Sequence, residues 1–248
     1  MACKLCLQEK NCIKAHIIPE SFFRIIKRDG KPILILSPKD FQSKTHIGIY
    51  DKNLVCEDCE KLFSPWDNYA HSFLVANFSK DKSIIDGDKV FAYVIECFDY
   101  HKLKLFFISI LWRASASNHK YFSNIKTGPF EDKLKEMILN NDPGDKNRFS
   151  IIITKFDNES IGTAMLNPHK EKLEEINYYS FYLGGFKVFI KVDKRDSSEF
   201  MKDFILTPDG PLYVVVRDFR GSSEFKLMKK IARLNESRRK QSLIKKGI

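Results

Sequence analysis

Four cysteines constrain this chain more than any other feature. Cys3 and Cys6 stand almost at its start, Cys56 and Cys59 follow much later, and both pairs have Cys-x-x-Cys spacing. A turn of that kind directs two sulfurs at one centre, and two such turns complete the tetrahedral sulfur shell that Zn2+ prefers. The opening residues carry no apolar leader, and the longest apolar run, Leu105 to Trp112, is too short to span a bilayer. We therefore expect a soluble, cytoplasmic protein without a membrane partner. In that reducing setting, paired thiols are metal ligands rather than disulfides. The sequence thus predicts one structural zinc held by Cys3, Cys6, Cys56 and Cys59, with Cys12 and Cys97 as core thiols.

A closed shell of four thiolates has no open position for water, so such a zinc staples a fold and does not catalyse. Chemistry must come from what it holds together. At 248 residues with 43% hydrophobic content, the chain has enough apolar surface for a substantial core. The pattern predicts an α+β protein. A helix follows His16 and stops at Gly30, then a strand over "KPILIL", a strand before Cys56, and a helix beyond it that Pro65 restarts or kinks. We place the first domain at residues 1–79.

Residues 80–225 read as a mixed helix and antiparallel-strand domain. They comprise a polar turn, a strand at "VFAYVIECF", a buried helix through "LFFISILW", a second helix at "PFEDKLKEMILNN", and strands that include a hairpin turning at Gly184 and Gly185. Trp66 and Trp112 are expected in the core. This part would serve for recognition or for contact with a protein partner. Residues 226–248 form a basic tail.

Charge is concentrated in that tail. The chain carries 42 Lys and Arg against 32 Asp and Glu, a net charge of +10. Residues 226–248 hold nine cations and one acid, Glu236, hence most of the excess. Ser222 or Ser223 can cap a helix whose apolar stripe is Phe225, Leu227, Met228, Ile231 and Leu234, and the last dozen residues should be mobile. Arg238, Arg239, Lys240, Lys245 and Lys246 are the expected contacts to nucleic acid, most simply DNA.

The stretch "CKLCLQEKNCIKAHIIP" followed by "NLVCEDCE" resembles the HNH, or ββα-metal, endonucleases in their zinc-stapled, treble-clef form, a resemblance covering roughly residues 3 to 75. It implies a nuclease that hydrolyses phosphodiester bonds in DNA, in bacterial defence or a mobile element. It also implies a role for each matching residue. His16 takes the place of the general base, Asn53 the middle position, and Glu60 the final ligand of a catalytic Mg2+ or Mn2+. Where the family carries a metal-binding residue before the histidine, this chain has Ala15. Asp51 lies two residues before Asn53 and is the carboxylate expected to substitute, with His46 and Asp67 as more distant candidates and Arg113 available to phosphate. The competing expectation is a non-catalytic, zinc-stapled module that binds nucleic acid or protein.

Overall fold

The computed structural model describes residues 2–24, 33–35, 43–45, 48–158 and 166–245. The chain is a mixed α+β structure with the four cysteines gathered near its N-terminus. Cys3 to Cys6 form a tight turn, closed where Leu7 N donates to Cys3 O at 2.9 Å and Cys3 N donates to Gln8 O at 3.0 Å. Strand β1 (Ala15–His16) leads into helix α1 (Glu20–Arg24). The rest of the helix expected up to Gly30 falls outside the described residues. Strands β2 (Ile33–Ile35) and β3 (Ser43–Thr45) form a small antiparallel pair, and β4 (Tyr50–Asp51) returns to lie antiparallel to β1. Gly48, at φ 86, precedes β4; a Cβ there would meet the Phe23 ring at 2.5 Å, so the turn needs glycine for both conformation and space.

Helix α2 (Glu57–His71) starts at Cys56, with Glu57, Asp58 and Glu60 in its first turn, where negative charge suits the helix dipole. It runs through Pro65 and continues as a π-helical turn over Ser72–Ala76. Pro65 therefore does not restart the helix. Phe63, Trp66 and Ala70, buried on its inner face, outweigh the missing hydrogen bond.

The remaining strands are β5 (Ser83–Asp86), β6 (Lys89–Ile95), β7 (Ile151–Phe156), β8 (His169–Leu173), β9 (Ile176–Leu183), β10 (Phe186–Lys191) and β11 (Leu212–Arg217). They form one sheet in the order β5-β6-β11-β7-β10-β9-β8, antiparallel except where β11 meets β7. Gly184 and Gly185 turn the β9–β10 hairpin, both at positive φ, as a two-residue turn of primed type requires. Helices α3 (Tyr100–Ala116), α4 (Glu131–Leu139), α5 (Glu199–Lys202) and α6 (Ser223–Lys245) complete the chain.

Alternation along the strands gives the sheet two apolar faces. Phe181 and Leu183 of β9, with Val188 and Ile190 of β10, share a core with α2 and α3. Phe156 and Tyr182 point the other way and pack with Phe225, Met228 and Ile231 of α6. Every residue of α3 from Leu103 to Ser115 is buried, as its all-round hydrophobicity predicts, and Trp66 and Trp112 are both in the core. That core runs without a break from Cys3 to Val214, so packing does not divide at residue 79. The reason is α3, which sits between α2 and the sheet and buries side chains against both.

The tail starts with the expected cap but is helical for longer than expected. Ser222 Oγ accepts from Phe225 N at 3.1 Å as the cap, and the helix continues through the basic residues to Lys245. Leu234 stays 37% exposed, so the docked stripe ends at Ile231.

Candidate functional site

The four cysteine sulfurs lie within 4.8 Å of one another. Cys3 Sγ is 3.7 Å from Cys59 Sγ, and Cys6 Sγ is 4.0 Å from Cys56 Sγ. A tetrahedron with Zn–S bonds of roughly 2.3 Å has edges of about 3.8 Å, so the donor set and its spacing fit Zn2+. Local backbone builds this site. The first pair sits in the Cys3–Cys6 turn, while Cys56 and Cys59 occupy the start and first turn of α2. Lys4 N donates to Leu54 O and Ile13 N donates to Val55 O, both at 2.9 Å, which ties the turn to the segment entering α2. Burial raises the Cys6 and Cys59 thiols, and crowding by the other sulfurs adds to it at Cys59. At Cys3 burial is overcome by backbone N–H groups, including that of Cys56, which bring the thiol to about 7. Among the described residues, these four are the one group of three or more ligating side chains drawn together. Cys12 pairs its backbone with Cys56 at the edge of the cluster, and Cys97 is exposed, so Cys97 is no core thiol.

Next to the cluster, the peptide of His16 is held from two sides. Its N–H donates to the Glu60 carboxylate, and its carbonyl accepts from Arg113 Nη1 at 3.1 Å. The half-buried imidazole lies edge-on to Tyr50, its cross-strand partner, with ring centres 6.1 Å apart. Glu60 is not the solvated acid that its place in the first turn of a helix suggests. Burial raises its carboxyl, Arg113 and the His16 N–H oppose that, and Asp67 adds to it. Among the described residues, Glu60 Oε2 is buried with no hydrogen-bond partner. An orphan carboxylate oxygen beside a histidine is a feature that structure alone does not favour.

Arg113 and Asp67 account for each other. Arg113 is fully buried, donates to Asp67 at 2.7 and 3.0 Å and to Ser109 Oγ at 2.9 Å, and stacks 4.5 Å from the Phe63 ring centre. It is therefore not at the surface to meet phosphate, and Asp67 is not free to hold an ion. Sequence reasoning set both residues at the margin, because nothing local shows that α2 and α3 bring them together.

Asp51 is corrected more sharply. In the β1–β4 pair it stands opposite Ala15, while His16 stands opposite Tyr50, so Asp51 and His16 occupy opposite faces. Its Oδ2 accepts from Ser117 Oγ at 2.9 Å and Asn118 N at 3.2 Å, and its Oδ1 accepts from Asn53 N at 2.8 Å. Burial acts to raise this carboxyl, but those donors win and hold it low. Asp51 anchors the loop after α3 and cannot replace a ligand beside His16. Asn53 is exposed in that turn, and His46 lies outside the described residues.

Of the expected nucleic-acid contacts, Arg238, Arg239, Lys240 and Lys245 fall on the α6 backbone, with side chains outside the described set; Lys246 lies beyond it. Among the described residues, no helix is long and apolar enough to cross a membrane. No family model, curated protein or solved structure matches the chain.

Proposed function

We propose that this protein is a zinc-stapled, HNH-type nuclease acting on DNA in a reducing compartment, with His16 as the group that accepts a proton from the attacking water. The observation that supports this most is the orphan Glu60 oxygen beside a histidine whose peptide is clamped by Glu60 and Arg113. Clamping both backbone groups sets where the imidazole sits, and positioning of this kind is what general-base catalysis needs. A neutral imidazole suits that role near physiological pH.

The expected ligand pair for Mg2+ or Mn2+ is only half present. Glu60 offers a vacant oxygen of the hard type these ions take, and Mg2+ keeps several waters with as few as one carboxylate. Asp51 lies on the wrong face, and Ala15 offers nothing. Such an ion, when bound, neutralises charge on the scissile phosphate and the leaving oxygen. The treble-clef description is likewise a proposal, supported by the order of Cys turn, paired strands and helix around one sulfur cluster.

A second reading, a zinc-stapled module that binds nucleic acid or protein without cutting, is favoured by Ala15 and by the engagement of Asp51 and Asp67 elsewhere. Plasmid cleavage with Mg2+ or Mn2+ separates the two. The nuclease reading expects cleavage by the parent protein, lost in His16→Ala and Glu60→Gln, with zinc content retained in both. DNA binding by the parent with no cleavage under either ion leaves the binding module.

A further inference from the structure

We infer that the outward face of α6 is a rigid rail for the phosphate backbone of duplex nucleic acid, formed by Lys226, Lys229, Lys230 and Arg233. This deepens the nucleic-acid reading above and identifies a surface that reading leaves open. The four residues follow helical spacing i, i+3, i+4 and i+7, so they share one face, and all are exposed. They line a groove of about 370 Å3 together with Leu234. Lys229 lies over the Phe225 ring at 5.0 Å, and no carboxylate forms an ion pair with any of the four among the described residues. The acid at the start of the helix, Glu224, points inward and is neutralised by Lys187 at 2.7 Å. Among the described residues, the positive charge of these four side chains is therefore not tied up in ion pairs, with Glu236 the one acid further along the helix.

Two observations select the occupant. A basic amphipathic helix binds a lipid surface by burying its apolar side in the acyl boundary. Here that side is already used: Phe225, Leu227, Met228 and Ile231 pack on Phe156, Leu166, Tyr182 and Phe219 of the protein. What remains is charge without an insertable face, which fits a polyanion in water. Spacing then favours a regular one. At 1.5 Å rise per residue, the four cations step by about 4.5, 1.5 and 4.5 Å and span about 10.5 Å of the axis, a length over which one strand of a duplex presents about three phosphates, and the helix backbone carries further cations of the same run to Lys245. Docking by both the apolar stripe and the Glu224–Lys187 pair fixes the rail relative to the sheet, so contacts need not order a loose tail on binding.

The test uses the full chain, zinc-loaded, and a 20-base-pair duplex in filter-binding titrations over a range of salt. Lys226→Gln, Lys229→Gln, Lys230→Gln and Arg233→Gln are combined in one variant. A control variant removes equal charge elsewhere through Lys89→Gln, Lys120→Gln, Lys126→Gln and Lys170→Gln, all exposed positions. Circular dichroism and zinc content verify both folds. The rail predicts that the slope of log K against log salt flattens by up to about 3.6 in the first variant, about 0.9 per lost duplex contact, and hardly moves in the control. Equal loss in both variants, no change in the first, or binding confined to anionic phosphatidylserine vesicles overturns it. Failure of the nuclease reading looks different, since the parent protein would bind with its full salt slope and simply not cut.

Discussion

Arg113, with no exposed surface, grips both carboxylate oxygens of Asp67 and still reaches the carbonyl of His16. One guanidinium thus joins α3, α2 and β1, and the candidate base is placed by a residue that has no part in its chemistry. Arg113 suits this work because its planar fork serves two acceptors at once.

Breaking that junction should be costly. Asp67→Ala leaves a buried guanidinium without its counter-charge, which costs about 3 to 5 kcal/mol. For a chain of this size each kcal/mol moves Tm by about 2 to 4 °C, so calorimetry should show a drop of about 10 °C. Arg113→Lys should recover only part of it, since an ammonium cannot hold Asp67 by two bonds and the His16 carbonyl as well. A change below 2 °C in Asp67→Ala would remove the junction from the account of stability.

Zinc should be present at one ion per chain and should support the whole molecule. Because one core runs from Cys3 to Val214, chelation should lower Tm in a single cooperative transition. Cys56→Ser should lose the metal, measured by mass spectrometry of the intact protein. Two separate melting steps, with only one sensitive to chelator, would show that the region around the cysteines unfolds independently.

Docking of α6 should depend on acid in a defined direction. Burial would raise the Glu224 carboxyl, but Lys187 at 2.7 Å dominates and holds it down at about 2. A carboxylate depressed on folding contributes stability above its unfolded value of about 4.5, and that contribution disappears as pH falls toward 2. Tyr182 donates to the same oxygen at 3.1 Å, and Lys187 also pairs with Glu171 at 2.8 Å. Glu224→Gln should therefore cost about 3 kcal/mol at pH 7, and the gap to the parent should close below pH 4.5 in matched urea titrations. A gap constant across that range would mean that the carboxylate is not what holds the helix.

The features that sequence alone determined are those written in local spacing. The two Cys-x-x-Cys turns mark a cluster that could hold a metal ion, because each turn aims its own sulfurs. The Gly184–Gly185 hairpin declares itself because few residues tolerate positive φ twice in succession. Helix α3 was legible from an apolar run that leaves no polar side. By contrast, β5 and β8 carry too little apolar alternation to be read and exist because a neighbouring strand accepts their backbone hydrogen bonds. The site divides in the same way. His16, Glu60 and the cysteines can be named from motif and spacing, but the tertiary structure decided that Asp51 faces away, that Asp67 is neutralised, and that one Glu60 oxygen is left alone. Those outcomes depend on how β4 pairs with β1 and how α3 packs against α2, and a side chain's partner across such a contact is set by the docking of distant segments, which no local pattern encodes.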